Sequence, residues 1–84
     1  MTNIELQEKL LSDDTNRIVK INNLFVADKL QLSNNTIIIK SLRKPEHSAL
    51  LCLELLLKLR KYPEDLQVKI ESQDIKNIEI EYYR

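Results

Sequence analysis

Glycine and tryptophan are both missing from this 84-residue chain, and cysteine, methionine and phenylalanine occur once each. Without glycine the chain lacks the loops that close backbone amides around a phosphate. That excludes a P-loop, a dinucleotide fingerprint and a nucleophile elbow. Left-handed turn positions must then fall to the next-best residues, Asn and Asp, and Asn22-Asn23, Asn34-Asn35 and Asp13-Asp14 are the expected substitutes. The single Cys52 makes no internal disulfide. A secreted domain this small would usually carry several, so a cytoplasmic setting is expected.

A surplus of either charge is also missing: 13 basic residues stand against 13 acidic ones. A binder of nucleic acid normally needs excess Lys and Arg to displace phosphate counterions, whereas a neutral chain repels its own copies weakly. No targeting segment opens the chain, no lipidation signal ends it, and the most apolar run, 49–59, is interrupted by Glu54 and too short to span a bilayer. No membrane contact is expected.

What is present is aliphatic. With 43% hydrophobic and 31% charged residues, the composition is that of one folded domain over 1–84 with an aliphatic core. The bias toward Ile, Lys, Asn and Leu fits an AT-rich coding sequence, as in phages and low-GC bacteria.

Spacing predicts a short helix over 4–11, capped by Thr2 or Asn3, and a strand over 17–21. Residues 22–32 read as a strand throughout or as a turn and a strand. A turn at 33–35 then leads into the strand TIIIKSL (36–42). Pro45 and Glu46 suit a first helical turn, and the helix is expected to run over 46–61 and stop before Pro63. Alternation at Leu66, Val68 and Ile70, and again at Ile78, Ile80 and Tyr82, predicts a closing hairpin with Lys69 facing Glu79 or Glu81. The expected fold class is α+β: a two-layer sandwich with one long apolar helix on a mainly antiparallel sheet, in the order α-β-β-α-β-β.

On a wheel of about 100° per residue, His47, Glu54, Lys58 and Lys61 of the 46–61 segment share one narrow arc. The apolar arc is about twice the width that covering one sheet face requires. Either the N-terminal helix and 22–30 cover the surplus, or it meets a second copy or another protein. An apolar ligand pocket or membrane contact is a third reading, the latter disfavoured by the narrow polar face. The interface candidates are Leu50, Leu53 and Leu57 on one side of the arc and Leu51 and Leu55 on the other.

Other chemistry is thin. His47 and Cys52 are five residues apart, about 140° around a helix, so they form no thiolate–imidazole pair, and one of each makes no metal site. Glu79 and Glu81 share a strand face, where a solvated, salt-bridged surface explains them better than acid–base catalysis. No catalytic residue, metal, cofactor or small-molecule substrate is expected. The functional expectation is a non-enzymatic interaction or regulatory module, an adaptor or inhibitor of phage or bacterial type. It acts through its apolar helix as a homodimer or on a larger protein. The alternative is a dimeric nucleic-acid binder using Lys40, Arg43 and Lys44 with Lys58, Arg60 and Lys61.

Overall fold

The computed structural model describes residues 1–11, 17–42 and 49–81, with the side chain of residue 81 left aside. The elements are α1 (Asn3–Leu11), β1 (Ile18–Ile21), β2 (Leu24–Ser33), β3 (Thr36–Leu42), α2 (Cys52–Leu59), β4 (Gln67–Ile70), β5 (Gln73–Asp74) and β6 (Ile78–Glu81). They form one six-stranded sheet in the order β5-β4-β3-β2-β1-β6. Only β3 and β4 run parallel, and α2 lies in the crossover between them. The molecule is mostly sheet: a curled half-barrel with two short helices. This replaces the expected α-β-β-α-β-β sandwich with its long helix.

Two glycine-free turns set the strand register. β1 and β2, and then β2 and β3, are joined by two-residue loops, Asn22-Asn23 and Asn34-Asn35, and all four asparagines have positive φ between 50° and 65°. That is the geometry of a type I′ hairpin turn, which asparagine tolerates through its compact polar side chain. Asp13-Asp14 lies outside the described residues. β2 is irregular between Val26 and Leu30, where residues 27–29 lie opposite Lys40 alone, so the strand bends there.

Glu71 is the fifth positive-φ residue among those described, at 52°, and an uncomfortable one for a glutamate. Its own N–H donates to Ile39 O at 2.8 Å, continuing the parallel ladder. Its carboxylate then accepts from Ser41 N at 2.8 Å and from the Ser41 hydroxyl at 3.1 Å. One side chain thereby stands in for the strand that β4 no longer supplies.

The central helix is eight residues long because the chain before it is used otherwise. Residues 46–48 of the expected helix lie outside the described residues, 49–50 are not helical, and Leu51 is extended. Leu50 N donates to Val26 O at 2.9 Å, Cys52 N donates to Arg17 O at 2.8 Å, and Leu51 bridges Ile18. Helix α2 starts only after these bonds, with the Glu54 carboxylate accepting Leu51 N–H at 2.9 Å.

The expected pairing of 66–71 with 78–82 does not form. β4 joins β3 on one side and β5 on the other, while β6 pairs with β1, setting Lys20 opposite Glu79. Residues 75–77 carry the chain between the two ends of the curled sheet. Asn22 holds this crossing: its Nδ2 donates to Asp74 O at 2.8 Å, and its Oδ1 accepts from Lys76 N at 2.8 Å and Asn77 N at 3.1 Å. The core inside the curl is aliphatic, with Val19, Ile21, Val26, Ile37, Ile39, Val68 and Ile70 of the sheet meeting Leu6, Leu10, Leu55, Leu56 and Leu59 of the helices.

Candidate interaction surface

Helix α1 is built to lie against α2. Thr2 and Glu5 form a capping box: Glu5 N donates to the Thr2 hydroxyl at 3.3 Å, and the Glu5 carboxylate accepts from Thr2 N at 2.9 Å. Acceptance of the Thr2 backbone N–H, and then of its hydroxyl, holds the Glu5 carboxyl below its ordinary value. One residue on, Asn3 is fully buried. Its Nδ2 reaches Leu59 O at 2.9 Å, Pro63 O at 3.1 Å and Tyr62 O at 3.2 Å, and its Oδ1 accepts from Gln7 at 3.0 Å. A single amide thus ties the last carbonyl of α2, which also accepts from Tyr62 N at 3.1 Å, and two carbonyls of the turn that follows to the start of α1. At the opposite end, the Cys52 thiol donates to Leu10 O at 3.2 Å. The two helices are therefore antiparallel, the start of each beside the end of the other.

This pairing consumes most of the apolar arc. Cys52, Leu55, Leu56 and Leu59 face the core, and Lys58 turns toward β2, where it pairs with Asp28 at 2.6 Å. At about 100° per residue, Leu53 and Leu57 then fall on the α1 side of α2, pointing outward. On α1 the buried stripe is Asn3, Leu6, Gln7 and Leu10, and Lys9 flanks the β6 side, which puts Ile4 and Leu11 on the α2 side. On this placement Leu11 of α1 and Leu53 and Leu57 of α2 stand on the sides of the two helices that face each other, and all three are exposed, 54%, 44% and 50%. Three of the four exposed large hydrophobic side chains of the described residues belong to these two helices. The fourth, Leu32, sits near the tip of the β2–β3 hairpin.

Of the five leucines singled out in the sequence, Leu50 and Leu55 are core residues, 2% and 0% exposed, and Leu51 is half-buried in its bridge to Ile18. Leu53 and Leu57 alone remain at the surface. Leu11 belongs with them, and its signal was the loose apolar spacing of 4–11. Among the basic residues, Lys40 pairs with Glu71 at 3.7 Å and Lys58 with Asp28, Arg60 and Lys61 are exposed, and Arg43 and Lys44 lie outside the described residues. The cations therefore form no continuous patch among the described residues.

The Glu71 carboxyl is held below its ordinary value, first by the Ser41 backbone N–H and then by the Ser41 hydroxyl and Lys40. Cys52 is buried, and His47 lies outside the described residues. The described residues contain no cluster of three or more His, Cys, Asp or Glu arranged to hold a metal. Nor do they contain a helix long and apolar enough to cross a membrane. No protein-family model, curated protein or solved structure matches the chain.

Proposed function

We propose that this protein is a non-enzymatic interaction module that self-associates through the groove between α1 and α2, as a regulatory or inhibitory adaptor. The observation that carries the reading is the half-exposure of Leu11, Leu53 and Leu57 on the two paired helices, which the helical repeat places on facing sides. Charge around the groove supports a second copy as the occupant. Exposed Glu8 stands next to this side on α1, and exposed Arg60 and Lys61 lie at the basic end of α2. A two-fold that lays α1 of one copy on α2 of the other sets these opposite charges together.

The magnitude points to a weak dimer. Full burial of a leucine is worth roughly 1.5–3 kcal/mol, so completing six half-buried leucines across two copies yields about 4–9 kcal/mol. Association itself costs about 4 kcal/mol or more. The surplus is at most about 5 kcal/mol, which corresponds to a concentration-dependent dimer with a Kd of about 0.2 mM or weaker. The reading is tested by mass in solution: Leu53→Asp with Leu57→Asp should remove association while leaving the fold. Charge reversal at Arg60 and Lys61 should weaken self-association without abolishing it. The nucleic-acid alternative has less support, because two of its six cations are already neutralised by carboxylates.

A further inference from the structure

The two ends of the curled sheet are finished differently. At one end β4 is covered: Thr2 bridges Gln67, Val68 N donates to Met1 O at 2.9 Å, and β5 takes Lys69 and Ile70. At the other end, β6 pairs with β1 on one side, and no strand among the described residues pairs with its outer side. Asn22 N donates to Asn77 O at 2.8 Å, so residue 77 turns its peptide groups toward β1. By antiparallel alternation residue 79 does the same, while Ile78 and Ile80 turn both N–H and C=O outward.

Charge is divided between the two faces of this edge. On the outer face the Glu79 carboxylate is already engaged: Asn77 Nδ2 donates to it at 3.1 Å, and Lys20 stands opposite it in the register. On the inner face, beside Ile78 and Ile80, lies a cleft of about 430 Å3 whose accessible surface is mainly polar. Lys9 of α1 and Lys76, both exposed, line it, and no described Asp or Glu does. Glu5, one turn before Lys9, has its carboxylate on the Thr2 N–H and hydroxyl, at 2.9 Å each.

We infer that the outer edge of β6 binds an acidic, extended peptide segment, added as a seventh strand. Asp or Glu side chains at its alternate positions, opposite Ile78 and Ile80, meet Lys9 and Lys76 in the cleft. Two features select this occupant. The edge offers acceptors as well as donors, which a strand satisfies and a small anion, having acceptors alone, does not. The cleft presents cations with no described carboxylate beside them, so complementarity asks for negative charge on the cleft side of the added strand. A second copy fits worse. The antiparallel register that pairs Ile78 of one β6 with Ile80 of the other brings isoleucines, not carboxylates, to the lysines. Ion pairs at so exposed a site are individually weak, so main-chain bonds supply most of the affinity and the two lysines choose the sequence.

The test uses two acetylated, amidated heptapeptides, one alternating Glu with Thr and one alternating Lys with Thr, with residue-resolved amide hydrogen exchange of the full chain. The Glu–Thr peptide at millimolar concentration should slow exchange at Ile78 and Ile80 by about threefold or more, and the Lys–Thr peptide should leave it unchanged. Lys76→Glu should cancel that protection. Lys9→Glu combined with Lys76→Glu should transfer it to the Lys–Thr peptide, with an unchanged melting temperature confirming the fold. The protection should persist in Leu57→Asp, because this edge is separate from the surface proposed for self-association. Equal protection by both peptides, or none from the Glu–Thr peptide, would overturn the inference. So would the same protection from inorganic phosphate alone, which would assign the cleft to a small anion. Protection that rises with protein concentration alone would also overturn it, by assigning the edge to a second copy.

Discussion

Leu56 and Leu57 are neighbours in sequence and identical in chemistry, yet one is 1% exposed and the other 50%. The same contrast separates the two sides of α2 as a whole. Cys52, Leu55, Leu56 and Leu59 are buried against the core, while Leu53 and Leu57 leave about half of their surface exposed. Apolar width in the sequence therefore overstates the surface left for a partner. Most of it is used within the monomer, and what remains exposed on α2 is Leu53 and Leu57.

The sharpest way to challenge that contrast is to truncate both neighbours. Leu56→Ala should cost about 2–5 kcal/mol by leaving a cavity, a large share of the stability of so small a domain, and thermal melting should show it directly. Leu57→Ala should cost under about 1 kcal/mol in the same experiment. Equal losses would mean that both leucines are core residues.

Asn3→Ala comes next, because it strips the carbonyls of Leu59, Tyr62 and Pro63 of their shared donor and leaves Gln7 without its acceptor. A loss of about 1–3 kcal/mol in denaturant unfolding is expected. A neutral outcome would show that α1 is held to α2 by leucine packing alone.

The smallest effect is electrostatic. The folded Glu71 carboxyl lies below its ordinary value, so its stabilising contribution is complete above the unfolded value of about 4.3 and is lost as pH falls through the lowered folded value. Glu71→Gln keeps an acceptor but not the charge. The variant should melt lower than the parent at pH 7, by under about 1 kcal/mol given how exposed the group is, and the gap should close as pH falls below about 4. A gap that stays constant with pH would remove the charge from the account of this corner.

Local signals were legible in the sequence and long-range ones were not. The N-terminal helix, expected over 4–11 with Thr2 or Asn3 as its cap, forms as Asn3–Leu11 with Thr2 capping it. The asparagine pairs at 22–23 and 34–35 take the turns that the absence of glycine assigned to them. The start of α2 was misread because Ala49, Leu50 and Leu51 are as apolar as the helix that follows. Only the carbonyls of Val26 and Arg17, far away in sequence, draw the chain into extended form. The closing hairpin was misread for a similar reason. Alternation identifies β4 and β6 as strands but carries no information about which strand each one meets, and Asn22 carries 75–77 across to β1 instead. For the interface the sequence named five leucines on one helix. The structure keeps two at the surface and adds Leu11 from another, because exposure depends on where α1 lies.

The most direct measurement is light scattering of the parent chain and of the Leu53→Asp, Leu57→Asp double variant, from micromolar to near-millimolar protein. The account predicts a parent mass rising from the 9.9 kDa monomer toward twice that value, and a variant that stays monomeric with a nearly unchanged melting temperature. A parent chain that remains monomeric at every concentration would contradict it. So would a folded variant that still dimerises.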